Sequence, residues 1–115
     1  MHVLLTGSRG FIGGHLLKVL TSRGVPITPI LFGESNNLPG SITYRDFVAS
    51  PKDFIRQDSV VIHCASSGVY EVESNTTLTK VNVERTAQFL KAAVDFGVKK
   101  VLVCGSGLEL SLIHI

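Results

Sequence analysis

The stretch Thr6-Gly7-Ser8-Arg9-Gly10-Phe11-Ile12-Gly13 decides the fold of this 115-residue chain. It follows the apolar run 2–5 and leads into residues 11–23, where apolar side chains recur at helical spacing. Glycine at every third position lets the backbone turn tightly, approach a diphosphate closely and pack a helix against its strand. The free N–H groups and positive dipole end of that helix favour an anion. The stretch therefore predicts a strand, a phosphate-binding turn and a helix, with a simple tight connection as the alternative.

Strand and helix signals alternate along the rest of the chain. Predicted strands cover residues 2–6, 26–32, 42–47, 60–64 and 101–104, and predicted helices cover residues 11–22, 51–56 and 76–96. Gly24 and Gly97 are expected to end the first and last helices. This alternation predicts the α/β class, with a doubly wound, Rossmann-like parallel sheet of about five strands.

Composition excludes several classes of function. The net charge of +2 is too small to indicate a nucleic-acid partner, and no apolar run approaches the roughly 20 residues that cross a bilayer. We therefore expect a cytoplasmic protein with no membrane or nucleic-acid partner. Cys64 and Cys104 lie in apolar runs, so we expect small buried side chains and no metal site.

Six pieces of the sequence together resemble one family. They are residues 6–13, Asp46-Phe47, Val61-Ile62-His63-Cys64-Ala65, Asn82-Val83-Glu84-Arg85-Thr86, residues 98–101 and Gly105-Ser106-Gly107-Leu108-Glu109. In this order they resemble the extended short-chain dehydrogenase/reductases, which are NAD(P)-dependent epimerases, dehydratases and reductases of nucleotide sugars. The resemblance covers residues 1–109, and Arg85 stands where the family has glycine.

The resemblance implies a cofactor site and one catalytic hydroxyl. The implied cofactor-binding residues are Gly7, Arg9, Gly10, Phe11, Ile12, Gly13, Asp46, Phe47, Cys64, Ala65, Ser66 and Asn82. Within this set, the resemblance implies that Asp46 contacts the adenine amino group. Ser106 matches the family's catalytic Ser or Thr, which orients the substrate oxygen. Taken singly, three of these residues also have an ordinary structural interpretation. Asp46 is then a cap at the end of a strand, Asn82 a polar helix residue and Ser106 a hydroxyl in a turn.

The family's acid/base pair, a tyrosine followed four residues later by lysine, is absent from these 115 residues. Only Tyr44 and Tyr70 occur, and Val48 and Ser74 follow them at that spacing. We therefore expect the chain alone to be inactive, while the resemblance implies a nucleotide-sugar substrate and a homodimer for the full-length protein. Two interpretations stay open. One is a truncated enzyme whose fifth strand ends at an unpaired edge, and the other is a non-catalytic dinucleotide-binding module.

Residues 110–115 do not continue the family's pattern. Their sequence, Leu-Ser-Leu-Ile-His-Ile, resembles a translated sequencing adaptor, so we expect an NAD(P)-binding domain over 1–109 and a non-native tail over 110–115. A short genuine strand is the alternative.

The choice between NAD and NADP depends on Arg9. The predicted second strand ends without the acidic residue that holds the ribose 2′-OH in many NAD enzymes. Arg9 instead resembles the loop arginine of NADP-dependent members, since a guanidinium pairs well with a 2′-phosphate. These features favour NADP, with a solvated Arg9 as the alternative.

Overall fold

The computed structural model describes residues 1–8, 10–31, 38–64, 76–104 and 110–114, with the backbone alone for 76–83 and 110–114. Its strands are β1 (His2–Thr6), β2 (Ile27–Leu31), β3 (Ile42–Thr43), β4 (Ser59–His63), β5 (Lys100–Cys104) and β6 (Leu110–His114). Its α-helices are α1 (Phe11–Ser22), α2 (Tyr44–Ala49) and α3 (Thr76–Asp95), and a 3-10 turn covers Pro51–Asp53.

The strands form one sheet in the order β3-β2-β1-β4-β5-β6. The first five strands are parallel, and β6 runs antiparallel to β5. The strand order reverses between β1 and β4, because β2 and β3 lie on one side of β1 whereas β4 and β5 lie on the other. The segments that follow β1 and β4 therefore lead towards opposite edges of the sheet. The predicted α/β class and five-stranded parallel sheet are confirmed.

The hydrophobic core on one side of the sheet lies beneath α2 and α3. Phe47 of α2 and Phe89 of α3 are fully buried, with ring centroids 5.0 Å apart. The strands contribute Leu4, Ile30, Val61 and Val101 to the same cluster. Burial of one such side chain stabilises the folded state by about 2 kcal/mol. A second contact between the helices places the Arg85 guanidinium 5.2 Å from the centre of the Tyr44 ring.

Glycine ends α1 and α3 as predicted. Gly24 (φ 75°) and Gly97 (φ 114°) adopt the left-handed conformation that L side chains rarely adopt. After α1, the Val25 N–H donates to the Leu20 carbonyl at 3.0 Å, and after α3, the Val98 N–H donates to the Ala93 carbonyl at 2.9 Å. Each of these hydrogen bonds satisfies a carbonyl in the last turn of the helix, where carbonyls lack a partner within the helix itself.

Three local predictions differ from the structure. The strand predicted over 42–47 ends at Thr43, because Thr43 Oγ1 accepts a hydrogen bond from the Asp46 N–H and caps α2. The helix predicted over 51–56 is a single 3-10 turn at Pro51–Asp53. The expected unpaired edge of β5 is wrong, since β6 pairs along all of β5. Whether residues 110–115 are a non-native tail stays a prediction, and the structure describes residues 110–114 as strand β6.

Among the described residues, no helix is both long enough and apolar enough to cross a bilayer.

His2 joins β1 to the strands on both sides of it. Its Nδ1 lies 2.7 Å from Ser59 Oγ in β4, and its Nε2 lies 2.9 Å from Thr28 Oγ1 in β2. Burial, followed by the charge of Arg56, lowers the pKa of His2 below its ordinary value of 6.5. Neutral His2 is therefore the form that the folded chain favours.

We predict that acid destabilises the chain through His2. Because the pKa is lower in the folded state, the stabilisation from neutral His2 is complete above pH 6.5 and is lost as the pH falls below that value. The free energy of unfolding, measured with urea between pH 7.5 and 5, should fall less steeply in His2→Asn than in the wild type. His15→Asn, on the exposed side of α1, is the matched control and should keep the wild-type slope. Equal slopes for His2→Asn and the wild type would contradict this role.

Candidate functional site

The candidate site lies at the carboxyl edge of the sheet, where β1 and β4 end side by side. The two strands are in register up to Thr6 and His63. In open α/β sheets, ligands bind outside the carboxyl ends of the strands at the point where the strand order reverses. The glycine turn that follows β1 starts at this point.

The turn between β1 and α1 is built by glycine backbone. Gly7 adopts φ 72°, and its carbonyl accepts a hydrogen bond from the Gly10 N–H at 2.9 Å. Gly10 is the N-cap residue of α1 in extended conformation, and its own carbonyl accepts from the Gly14 N–H at 2.8 Å. The chain therefore passes from strand to helix within four residues.

Gly13 lets α1 start against this turn. A Cβ added to Gly13 would lie 1.9 Å from the Gly7 carbonyl oxygen and 2.6 Å from its carbon. Both are backbone atoms that cannot rotate away. A Cβ added to Gly14 would lie no closer than 3.2 Å to its nearest neighbour, the Ser8 carbonyl oxygen. Glycine is thus a steric requirement at position 13, and the close approach brings the helix N-terminus up to the end of β1.

The helix N-terminus is left open for an acceptor. Gly10 offers no side-chain cap, and the first turn of α1 holds no acidic residue. The N–H groups of Phe11, Ile12 and Gly13 have no acceptor within the helix, because the first turn of any α-helix lacks one. A diphosphate bound here would receive these donors and the positive end of the helix dipole.

Ser8 supplies a further donor in the same turn. Its side chain is 5% exposed, and among the described residues its Oγ is the one buried side-chain polar atom without a hydrogen-bond partner. A buried hydroxyl without a partner costs about 1–3 kcal/mol. Together with the helix N-terminus that Gly13 brings close to β1, this hydroxyl is a donor suited to the diphosphate of a dinucleotide. Sequence reasoning missed Ser8, because a serine in a turn is ordinarily satisfied locally.

A hydrogen-bond network fixes the carboxyl ends of β1 and β4 to each other. Thr6 Oγ1 lies 2.7 Å from His63 Nδ1 and accepts from the Cys64 N–H at 3.0 Å. His63 also stacks on Phe89 with a centroid separation of 6.4 Å. Burial lowers the pKa of His63, which favours the neutral ring. His63 is therefore a structural residue, as expected for a histidine that lies within a strand with no other histidine near it in the sequence.

Cys64 follows β4 at this edge and is half-buried. Its Sγ lies 3.2 Å from Sγ of Cys104, the last residue of β5. Both cysteines are free thiols. Burial, followed by the hydrogen bond and charge of Cys104, raises the pKa of Cys64 to about 12.

The other described site residues lie in three different environments. Phe11 is 94% exposed at the first position of α1, and Ile12 beside it is half-buried. Asp46 is exposed in the first turn of α2, just beyond β3 and at the same sheet edge as Gly7. The Phe47 side chain points into the hydrophobic core, so a contact with cofactor would have to come from its backbone.

Several predicted site residues lie outside the described part of the chain. These are Arg9, Ala65, Ser66 and Ser106. Asn82 lies in α3, and its side chain is not among those described. Their roles in cofactor binding and catalysis stay predictions.

A separate groove of about 620 Å³ runs along the flank of α1. Leu17 and Thr21 line it from the helix, Ile27 from β2 and Pro39 from the turn before β3. These residues lie on the second half of α1 and the strand next to it, away from the glycine turn. The groove is therefore distinct from the candidate site.

Comparison with known proteins gives a consistent result. The model of the NAD dependent epimerase/dehydratase family matches residues 3–110. UDP-glucose 4-epimerase of Vibrio cholerae is 33% identical over an alignment of 113 residues. The match covers 90% of this chain and 34% of that protein.

Two solved structures share both the fold and part of the sequence. A short-chain dehydrogenase/reductase superfamily protein of Agrobacterium tumefaciens, solved with bound NAD, has a TM-score of 0.70 at 25% identity and covers 93% of this chain. A human epimerase family protein, solved with NADPH, has a TM-score of 0.68 at 25% identity. The chain spans about a third of the length of these proteins, 33% of the first and 37% of the second.

We predict that Gly13→Ala destabilises the chain strongly. The new Cβ would force α1 away from Gly7, and overpacking of this kind typically costs about 1–3 kcal/mol. Gly14→Ala, one residue along the same helix, is the matched control. It should change the free energy of unfolding by less than about 1 kcal/mol, because the gain in helix propensity offsets its milder contact. Urea unfolding measures both changes, and equal costs would contradict the steric role of Gly13.

Proposed function

The chain belongs to the NAD dependent epimerase/dehydratase family, and from this membership we propose that it is the cofactor-binding part of an NAD(P)-dependent epimerase, dehydratase or reductase of nucleotide sugars. The observation that carries the proposal is the glycine turn. Its open helix N-terminus, which Gly13 allows to lie close to β1, and the unpartnered Ser8 hydroxyl suit one diphosphate. Relatives that carry nucleotide-sugar activities in their names support the substrate class.

In this proposal the residues of the chain bind and orient the cofactor. The first N–H groups of α1 and the Ser8 hydroxyl hold the diphosphate, and Asp46, beyond β3, binds the adenine amino group. The carboxyl ends of β4 and β5 lie beside the nicotinamide half. A bound nicotinamide supplies hydride transfer to and from a sugar carbon.

The catalytic part of the proposal rests on one hydroxyl of this chain. Ser106 would donate a hydrogen bond that orients the substrate oxygen. The tyrosine and lysine that act as acid and base in the family have no counterpart at the required spacing among these 115 residues. We therefore expect the chain to bind NAD(P)H and to leave nucleotide sugars unchanged. For the whole protein we propose a homodimer.

The glycine turn also suits a second candidate, a non-catalytic dinucleotide-binding module, because binding a diphosphate needs only the residues of that turn. A longer form of the protein distinguishes the two candidates. Epimerase, dehydratase or reductase activity in that form supports the first, and its absence despite tight NAD(P)H binding supports the second.

For cofactor preference we propose NADP, through Arg9. A hydrogen bond between charged groups contributes about 1.5–3 kcal/mol, so its loss corresponds to a weakening of roughly tenfold or more. Arg9→Ala should weaken NADPH binding to this extent and leave NADH binding within about twofold, as measured by isothermal titration calorimetry at constant ionic strength.

Arg23→Ala is the control for this change. Arg23 is an exposed arginine at the opposite end of α1 from the glycine turn, so its loss removes the same charge at a distance. It should leave the binding of both cofactors unchanged. An unaltered ratio of NADPH to NADH affinity in Arg9→Ala overturns the preference for NADP. Absence of binding of either cofactor to the wild type overturns the proposed function itself.

A further inference from the structure

Two cysteine side chains meet at the carboxyl ends of neighbouring strands. Cys64 follows β4 directly, Cys104 is the last residue of β5, and their Sγ atoms are 3.2 Å apart. The register pairs His63 with Val103, so the next residue of each strand lies opposite the other. Both thiols are free, and 40 residues of chain separate them.

The backbone geometry at this position is suitable for a covalent link. Neighbouring strands lie about 4.8 Å apart, which falls within the roughly 4.4–6.8 Å between Cα atoms in disulfides. A disulfide bond of about 2.05 Å requires the sulfur atoms to approach by roughly 1.2 Å. A side-chain rotation or a small shift of either strand end achieves this, and each strand ends at that point.

The two thiols differ in access. Cys104 is 6% exposed, whereas Cys64 is half-buried and can be reached by a small oxidant. The raised pKa of Cys64 keeps almost all of it in the thiol form at neutral pH, and the thiol form reacts slowly. The pair therefore stays reduced under mild conditions and needs a strong oxidant in excess.

We propose that Cys64 and Cys104 form an oxidisable thiol pair, which a peroxide converts into an intramolecular disulfide between the ends of β4 and β5. The Cys64 thiolate attacks one peroxide oxygen, the O–O bond breaks, and Cys64 becomes a sulfenic acid as the first water leaves. Cys104 then attacks the Cys64 sulfur, and the sulfenic oxygen departs as the second water. Two thiols lose two electrons, one hydrogen peroxide gains them, and the thiol hydrogens end in water.

The disulfide would act at the edge where β1 and β4 are joined. The Cys64 N–H donates to Thr6 Oγ1, so a movement of Cys64 is transmitted to the residue before the glycine turn. In the sequence, the segments that follow the two cysteines carry Ser66 and Ser106. The disulfide would therefore join the ends of β4 and β5 covalently in response to oxidation, whether or not a dinucleotide binds at this edge.

Mass spectrometry of the full chain tests the proposal. The chain is incubated with excess hydrogen peroxide, remaining thiols are alkylated, and the intact mass is measured with and without later reduction. We expect the wild type to lose two hydrogens, to resist alkylation at both cysteines, to remain monomeric in gel filtration, and to recover two alkylatable thiols after dithiothreitol. This result does not depend on cofactor binding, so it is distinguishable from failure of the proposed function.

Cys104→Ser is the informative variant because it leaves Cys64 without its resolving thiol. Its Cys64 should accumulate as a sulfenic acid that dimedone traps, whereas the wild type should not react with dimedone. Three results in the wild type would overturn the proposal: two thiols that stay alkylatable, oxidation of Cys64 that stops without a disulfide, or a disulfide between two chains. Because these are wild-type results, the test stands even if the variant fails to fold.

Discussion

The close contact between Gly13 and the backbone of Gly7 is the constraint on which the candidate site depends. The backbone of Gly7 occupies the position that a Cβ at residue 13 would take, so α1 can begin where it does only with glycine there. That placement sets the helix N-terminus directly beyond β1, at the point where the strand order reverses. Open N–H groups, a helix dipole and a buried hydroxyl then converge on one small region. This geometry supports the proposed binding of a diphosphate before any catalytic residue is considered.

A second layer of contacts holds the surrounding sheet edge in place. Thr6, His63 and the Cys64 backbone connect β1 to β4, and the thiols of Cys64 and Cys104 extend the line of contacts to β5. The ends of three adjacent strands are thus linked by polar or sulfur contacts above the apolar core. A site made of backbone N–H groups needs such support, because its donors are aligned only when the strand ends are fixed.

Much of this fold was predictable from local patterns, since alternating strand and helix signals and the stops at Gly24 and Gly97 act over a few residues. The secondary structure of residues 42–47 was harder to predict from the sequence. Ile42, Tyr44, Phe47 and Val48 favour a strand by composition, yet the Thr43 cap and the burial of Phe47 on Phe89 turn residues 44–49 into a helix. The thiol pair was beyond sequence reasoning, because it depends on the register between β4 and β5. The Ser8 hydroxyl was likewise recognisable only once its missing partner was seen.

We propose that the helix N-terminus after the glycine turn binds a dinucleotide diphosphate, and an NMR titration is the most direct test of this binding. Amide chemical shifts of the wild-type chain are followed as NADPH is added. Saturable shifts are expected at the amides of Gly10, Phe11, Ile12 and Gly13, while the amides of the groove residues Leu17, Thr21 and Ile27 stay unchanged. Saturable shifts confined to the groove, with residues 10–13 unaffected, would contradict it.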